Sequence, residues 1–374
     1  MNITVISENN MDFLMGEEKS ADQMVEFLNQ GAMYRTFDQV LTQAYQEKDL
    51  KEKLEEGMIR VTGDDRSGIV RKVHNWLNGK NAPRNRETLF QICFVLGLNE
   101  AEADQVLGAA ADMGIHYRNP RELVYAFCLR KGLPYERAAE LYRQAEETCF
   151  SHKAGSGEEE KGPFYTKAVR DAFDQVEDEE GLMAFFEEHG GKLGELHETA
   201  YRKFRELLDC LQKPGEKGEE KYTMREVVEQ YIRMNVPESR NVSDYTLLQK
   251  LVKKYWPSET ALLNMRSRRE DVGRKTMILL YLATEEFDNH EDEDLYFSDE
   301  EEEEDPDDIL EMRLEKMNLF LDSYGMNMLD PGNPFDFLVL YAMRTQEGDF
   351  ASDRMSEVMG LLFEGEEKSS RNKN

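Results

Sequence analysis

The sequence predicts an all-α protein, and three observations carry that prediction. Apolar residues recur at spacings of three and four along most of the chain, which is the period of an amphipathic helix. Helix-capping residues stand in front of several of these periods. The composition, 40% hydrophobic and 33% charged, is that expected of exposed amphipathic helices. With 374 residues, the chain has room for two or three domains.

The chain is strongly acidic, with a formal net charge of −30. Affinity for DNA without sequence preference comes from Lys and Arg side chains that neutralise phosphates. The overall charge therefore argues against a general nucleic-acid coat, although it leaves room for a local basic face.

Residues 1–32 are predicted to form an N-terminal arm with a short helix. A short strand at residues 3–6 stays open, and the helix is expected over the apolar period that precedes Gly31. The same spacing predicts two further helices, one from Phe37 to Tyr45 and one from Leu50 to Met58.

The stretch from residue 66 to residue 96 predicts a helix, a tight turn and a second helix. Ile69, Val73 and Trp76 recur at helical spacing and line one face of the first helix. Gly79 then allows the positive φ that a sharp exit needs. In this acidic chain the stretch is locally basic, and its cations are Arg66, Arg71, Lys72, Lys80, Arg84 and Arg86.

The run HNWLNGKNAPRNRETLFQICFVLGL, residues 74–98, resembles the third and fourth helices of the λ-repressor-like (XRE-type) helix-turn-helix family. In that family a tryptophan and an N-G-K turn close the recognition helix. The preceding LKEKLEEGMIRVTGDD is longer and more acidic than the family's second helix. The resemblance implies a helix-turn-helix domain with two extra helices over residues 33–149, in which Ser67 to Asn75 face a DNA major groove.

The side chains on the polar side of that helix suit DNA. Arg and Lys pair with guanine edges or phosphates, and Asn pairs with adenine. Cations after the helix would contact phosphates beside the groove. The predicted DNA-binding residues are Arg66, Ser67, Arg71, Lys72, His74, Asn75, Lys80, Arg84 and Arg86.

Beyond Gly97, capping signals predict the remaining helices of this domain, which is expected to hold about seven. Asn99 is followed by Glu102 at capping-box spacing, and Asn119-Pro120-Arg121-Glu122 combines an N-cap, a first-turn proline and an acid. Asn333-Pro334-Phe335-Asp336 repeats that combination near the C-terminus. The segments predicted after the domain are a linker at 150–163, helices at 164–211, a linker at 212–221, helices at 222–287, an acidic disordered tether at 288–308, helices at 309–363 and a tail at 364–374.

Residues 258–284 resemble residues 73–97 when a two-residue gap is allowed. Leu263-Asn264 then falls on Leu77-Asn78, and Arg274 falls on Arg86. Two interpretations stay open: a degenerate second helix-turn-helix, or two helices joined by a solvated basic loop. The cations of this possible second basic turn are Arg266, Arg268, Arg269, Arg274 and Lys275.

Residues 285–311 contain no Lys or Arg and many Asp and Glu. Mutual repulsion and few apolar residues predict disorder here. One hypothesis is that residues 299–308 compete with DNA for the basic turns as an intramolecular phosphate mimic. The alternative is a solvated tether.

No enzyme chemistry or cofactor is predicted. The six histidines show no metal-ligand spacing, and His189 and His197 are expected to be surface residues with no metal between them. The four cysteines are far apart and are expected to be buried thiols of a reducing cytosol. No apolar run reaches membrane-spanning length, so a cytoplasmic protein is expected.

Two functions remain. The first is a DNA-binding transcriptional regulator that acts through the helix-turn-helix. The second is an adaptor that binds a protein partner through the middle and C-terminal helices, where methionine-rich faces such as MNLFLDSYGMNM pack adaptably.

Overall fold

Helices account for all the regular secondary structure that the described part of the chain contains. The structure is a computed structural model that describes residues 5–32, 34–83, 85–111, 113–147, 165–194, 196–213, 221–238, 245–285, 306–345 and 349–364. The predicted all-α class is confirmed for these residues. The predicted acidic tether falls largely on 286–305, outside the described residues.

The helices follow one another along the chain with short connections. They are α1 (Val5–Leu14), α2 (Ala21–Gln30), α3 (Phe37–Ala44), α4 (Leu50–Thr62), α5 (Arg66–Leu77), α6 (Arg86–Leu96), α7 (Glu100–Ala110), α8 (Pro120–Arg130), α9 (Tyr135–Ala145), α10 (Tyr165–Asp174), α11 (Glu179–His189), α12 (Glu198–Gln212), α13 (Met224–Val227, continued by a π-helical turn Val228–Ile232), α14 (Leu247–Lys253), α15 (Glu259–Arg266), α16 (Arg274–Ala283), α17 (Pro306–Ser323), α18 (Pro334–Met343) and α19 (Ala351–Phe363). A short 3₁₀ turn at Gly190–Lys192 follows α11. The strand left open at residues 3–6 is wrong where it can be judged, because α1 begins at Val5.

The chain divides into two compact units. The first unit comprises Arg35–Thr199 and Asp322–Asn327, and the second comprises Met1–Tyr34, Ala200–Leu321 and Met328–Asn374. These units cut across the predicted segments. The N-terminal helices α1 and α2 belong to the second unit, whereas α10 and α11 belong to the first.

The core of the first unit begins where the sequence predicted it. Asp65 caps α5 by accepting a hydrogen bond from the backbone N–H of Gly68, and Ile69, Val73 and Trp76 are buried on one face. Trp76 is 5% exposed, as expected of the residue that closes this face. The positive φ of Gly97 ends α6.

α4 and α6 pack closely in the first unit, and a glycine makes this possible. A Cβ atom on Gly57 would lie 2.3 Å from Cγ1 of Val95. No side chain fits at that distance, so glycine is required although it lowers the helix propensity of α4.

An ion pair fixes the start of α6 in the first unit. Arg86 Nε donates to Glu122 Oε1 at 2.7 Å, and Arg86 Nη2 donates to Glu122 Oε2 at 2.6 Å. Arg86 also donates to the carbonyl oxygens of Met113 and Gly114. The guanidinium thus connects three segments of the first unit, namely α6, the loop before α8, and α8 itself. We call this arrangement the Arg86 clamp.

The second unit contains a similar ion pair. Arg274 Nη1 and Nη2 donate to Asp336 Oδ1 and Oδ2 at 2.9 and 2.8 Å, and Nη2 also donates to the carbonyl oxygen of Met328 at 3.0 Å. Arg274 begins α16, and Asp336 lies in the first turn of α18. We call this arrangement the Arg274 clamp.

Two cysteines match the expectation of buried thiols and one does not. Cys93 and Cys128 are buried, and burial raises the pKa of the Cys128 thiol to about 12. Cys210 is exposed, so the prediction is wrong there: it lies on the outer side of α12. Cys149 lies outside the described residues.

None of the helices in the described ranges combines the length and the apolar character that crossing a bilayer requires.

Candidate nucleic-acid interface

α4 and α5 are joined by only three residues, Gly63 to Asp65. Gly63 adopts φ 69°, and its N–H donates to the carbonyl oxygen of Ile59, which closes the last turn of α4. A residue with a β-carbon is strained in this left-handed conformation. The glycine therefore lets the chain leave α4 sharply and enter α5.

One face of α5 is open to solvent. Ser67, Arg71, His74 and Asn78 are exposed and recur at spacings of three and four, opposite the buried face. Arg71 makes no ion pair or hydrogen bond with another described residue. This face therefore presents one guanidinium, one imidazole and two small polar groups.

The N-terminal end of α5 is more acidic than its centre. Lys72 Nζ lies 3.1 Å from Asp64 Oδ2, so this predicted DNA contact is already paired. The hydrogen bond from the Ser67 hydroxyl, together with that from the Gly68 N–H, holds the pKa of Asp65 below its ordinary value. Asp65 thus stays ionised at neutral pH, and the cations available to a polyanion lie farther along the helix.

The turn after α5 carries the next exposed cation. Gly79 adopts φ 64°, its N–H donates to the carbonyl oxygen of Trp76, and the N–H of Lys80 donates to that of Asn75. Lys80 is exposed, whereas Asn75 is half-buried. Asn78 Nδ2 donates to the carbonyl oxygen of His74 at 2.8 Å, which fixes its amide at the end of the helix. The C-terminal half of α5 and this turn form the most accessible polar surface of the stretch.

Two of the predicted phosphate contacts need comment. The assignment of Arg86 is corrected, because the Arg86 clamp engages its guanidinium in four hydrogen bonds. Arg84 lies outside the described residues. Of the predicted set, Arg66, Arg71, His74 and Lys80 are exposed, with Ser67 turned toward Asp65.

The possible second basic turn is basic at fewer positions than predicted. Arg274 and Lys275 are buried, Arg274 by its clamp and Lys275 by donating to the carbonyl oxygens of residues 252 and 254, so the prediction of a solvated turn is wrong for both. Arg268 is half-buried and lies over the ring of Tyr201 at 4.4 Å. Arg266 and Arg269 remain exposed.

Charge is unevenly distributed along the chain. Residues 50–80, which contain α4 and α5, carry seven Lys or Arg and five Asp or Glu, a net charge of +2. Residues 246–269, which contain α14 and α15, carry six Lys or Arg and one Glu, a net charge of +5. Because the whole chain has a charge of −30, these two stretches are positive exceptions and would attract a polyanion locally.

A buried histidine pair in the first unit escaped the sequence analysis. The rings of His116 and His197 are 3.5 Å apart between centroids, and both residues are buried, so the surface position predicted for His197 is wrong. Burial, then His197, then the charges of Arg86 and Arg118 hold the pKa of His116 well below its ordinary value. No local pattern signals this pair, because its members are far apart in sequence.

No known protein family, curated protein or solved structure matches this chain.

Proposed function

We propose that the protein is a non-enzymatic DNA-binding transcriptional regulator of the λ-repressor-like helix-turn-helix type. In this proposal α4 and α5 form the helix-turn-helix, and α5 lies in the major groove. The observation that carries it is the open face of α5, with Arg71 and His74 opposite a buried apolar face, within a stretch of net charge +2 in a chain of −30. The resemblance of residues 74–98 to the family supports the same reading.

The exposed residues divide into two roles. Arg71 projects from the middle of the open face and would pair with a guanine edge, while His74 would contact the next base. Arg66 and Lys80, at the two ends of α5, would contact phosphates. Asp64 and Asp65 repel phosphates at the N-terminal end, so we expect the C-terminal half of α5 to make the closest approach.

A double charge reversal tests this assignment. Arg66→Glu with Arg71→Glu should lower affinity for a mixed-sequence duplex of about 40 base pairs and flatten the dependence of log Kd on log salt by about two units. Fluorescence anisotropy of the full chain at several salt concentrations measures both quantities.

The matched control reverses Lys131 and Arg143, exposed cations on the other side of the predicted helix-turn-helix in sequence, at α8 and α9. Both double variants change the charge by the same amount. If they bind DNA equally well, with equal salt dependence, the assignment of α5 is wrong.

A second function, protein binding, is favoured by the surface of the second unit. Met312 and Leu319 are exposed seven residues apart on α17, which places them on one face of the helix. Exposed apolar side chains at helical spacing are typical of protein contacts. A partner bound there should be retained at high salt and lost in a Met312→Glu, Leu319→Glu variant, whereas a DNA complex should weaken steeply with salt.

A further inference from the structure

We infer that the second unit contains a second copy of the helical domain of the first unit, and that α14 and α15 of this copy form a second DNA-contacting surface with a preference for thymine. This inference rests on the proposed function. Its structural part rests on equivalent hydrogen bonds that recur at equal sequence spacing in the two units.

The two clamps are built in the same way. In each, an arginine at the first position of a helix makes a bidentate pair with an acid in the first turn of a later helix. In each, the arginine also donates to the carbonyl oxygen eight residues before that acid, at Gly114 and at Met328. The acid in turn accepts from the backbone N–H six residues before it, at His116 and at Asp330.

Further bonds around the clamps also correspond. Asn119 and Asn333 each cap the helix of the acid by accepting from the second and third backbone N–H groups that follow. Ile115 N–H donates to Asp104 Oδ1, and Leu329 N–H donates to Asn318 Oδ1, both across eleven residues. Independent folds would not share these spacings by chance, so the two regions are copies of one domain.

The copies also agree at the start of the domain. Thr36 and Gln39 form a capping box on α3, and Thr223 and Glu226 form one on α13. Thr223 is 187 residues after Thr36, and Arg274 is 188 residues after Arg86, so the helices between them occupy stretches of nearly equal length.

The turn after the third helix fixes how α15 corresponds to α5. Arg269 N–H donates to the carbonyl oxygen of Asn264, as Lys80 N–H donates to that of Asn75. Buried Met265 therefore takes the place of Trp76. The alignment predicted from sequence, with Leu263 on Leu77, is wrong by three residues, because it matched the Leu-Asn pairs and not the residues that close the helix.

With this correspondence, the open face of α15 differs in chemistry from that of α5. Thr260 takes the place of Arg71 and Leu263 that of His74, while Arg269 takes the place of Lys80. Leu263 is 44% exposed at the centre of this face. The exposed cations surround the centre, and they are Lys250, Arg266 and Arg269.

Such a face fits phosphates at its rim and a methyl group at its centre. Lys and Arg at the ends of a recognition helix contact the backbone of DNA. Apolar contact with the C5 methyl group is the way in which aliphatic side chains distinguish thymine. The net charge of +5 over residues 246–269 favours nucleic acid over a neutral protein.

Tyr201 holds the rim in position. Its hydroxyl donates to the carbonyl oxygen of Arg266 at 3.0 Å, and its ring lies 4.4 Å from the guanidinium carbon of Arg268. Tyr201 acts as a positioning residue, since it fixes the backbone from which Arg266 and Arg269 project.

The first experiment reverses the two exposed arginines in the full chain. Arg266→Glu with Arg269→Glu should lower affinity for the mixed-sequence duplex by about tenfold or more at low salt and flatten the salt dependence by about two units. The control reverses Lys213 and Lys221, exposed lysines of the same unit, and should leave both quantities nearly unchanged. Circular dichroism checks that all variants are equally helical.

The outcomes separate this inference from the proposed function. If only the Arg66, Arg71 variant loses affinity, the second surface is overturned and the proposed function stands; if neither variant loses affinity, the proposed function fails and takes the inference with it. If the Arg266, Arg269 variant keeps its DNA affinity but no longer binds poly-glutamate, the surface recognises an acidic protein and the inference is also overturned.

The second experiment tests thymine recognition. A duplex of alternating A·T pairs is compared with its A·U counterpart, which lacks the methyl groups but keeps the same hydrogen-bonding edges. The wild-type protein should bind the A·U duplex about fourfold more weakly, the effect of losing about one buried methyl group. Leu263→Ala should remove this difference, and Leu247→Ala, at another exposed leucine, should retain it. A Leu263→Ala protein that still distinguishes the two duplexes would overturn thymine recognition by this residue.

Discussion

The Arg86 and Arg274 clamps have the same connections but different surroundings. The side chains of Arg274 and Asp336 are 6% and 2% exposed, whereas those of Arg86 and Glu122 are 31% and 8% exposed. A buried pair has no water to replace a lost partner, so the second clamp tolerates less change than the first. The comparison teaches that equal hydrogen-bond patterns do not imply equal energetic importance.

The surfaces of the two units differ more than their skeletons. All the large apolar side chains that are exposed among the described residues belong to the second unit. They are Leu247, Tyr255, Leu263, Met312, Leu319, Met328 and Phe350. A shared skeleton thus presents a polar face on α5 and an apolar centre on α15, and function diverges where no clamp or core constrains the side chain.

The largest expected effect separates the two clamps. Asp336→Asn leaves the buried charge of Arg274 without a carboxylate and should lower the free energy of unfolding of the second unit by about 3–5 kcal/mol. Glu122→Gln should cost the first unit less, about 1–3 kcal/mol, because water reaches Arg86. Hydrogen exchange read by mass spectrometry reports each unit separately. Equal losses would show that burial does not distinguish the clamps.

A second prediction compares the residues that close the third helix. Trp76→Ala should cost the first unit about 3–5 kcal/mol through the cavity it leaves. Met265→Ala, at the corresponding position, should cost the second unit about 2–3 kcal/mol, because less side chain is removed. A larger loss at Met265 than at Trp76, measured by denaturant unfolding with exchange-resolved assignment, would contradict the correspondence of α5 and α15.

The histidine pair predicts a pH dependence for the first unit. Because burial lowers the pKa of His116 in the folded state, the unfolded chain binds a proton that the folded chain does not. The first unit should therefore lose stability as pH falls below about 6.5, by up to about 1.4 kcal/mol per pH unit. His116→Phe should remove this contribution, and unfolding curves between about pH 7 and pH 5 measure the slope. An unchanged slope in the variant would show that His116 protonates equally in both states.

The smallest effect concerns the turn after the third helix. Gly79 has φ 64° in the first unit, and Arg268 has φ 58° at the corresponding position of the second. Gly79→Ala should destabilise the first unit by about 1 kcal/mol, and Arg268→Gly should relieve strain of up to about 1 kcal/mol in the second. The second change also removes the contact with Tyr201, so a net gain below this figure is expected. Thermal unfolding detects both, and a loss of stability in Arg268→Gly would show that the Tyr201 contact outweighs the strain.

The helices were predictable because their signals are local. Capping residues such as Asn99 and Asn119 and apolar periods such as that of α5 lie within a few residues of the helix that they define. The burial of Arg86, Arg274 and Lys275 was not predictable in the same way, since an arginine at the start of a helix looks alike in sequence whether it faces solvent or a distant acid. One signal was present: the Asn-Pro-x-acid cap occurs twice, and in both places its acid is the partner of such an arginine.

The repeated clamp also bears on how the chain folds. An arginine and an acid of the same geometry occur in both copies, so the arginine of one copy could pair with the acid of the other while the chain is still collapsing, a form of misassembly known in proteins with repeated domains. The copies differ in the acid, with Glu122 in the first and Asp336 in the second, and these side chains differ in reach by one methylene group. A crossed pair would have to place an acid of the wrong length beneath an arginine whose bond to a carbonyl oxygen is already set. The choice of acid thus gives the chain a length code that favours pairing within each copy and lowers the chance of kinetic traps.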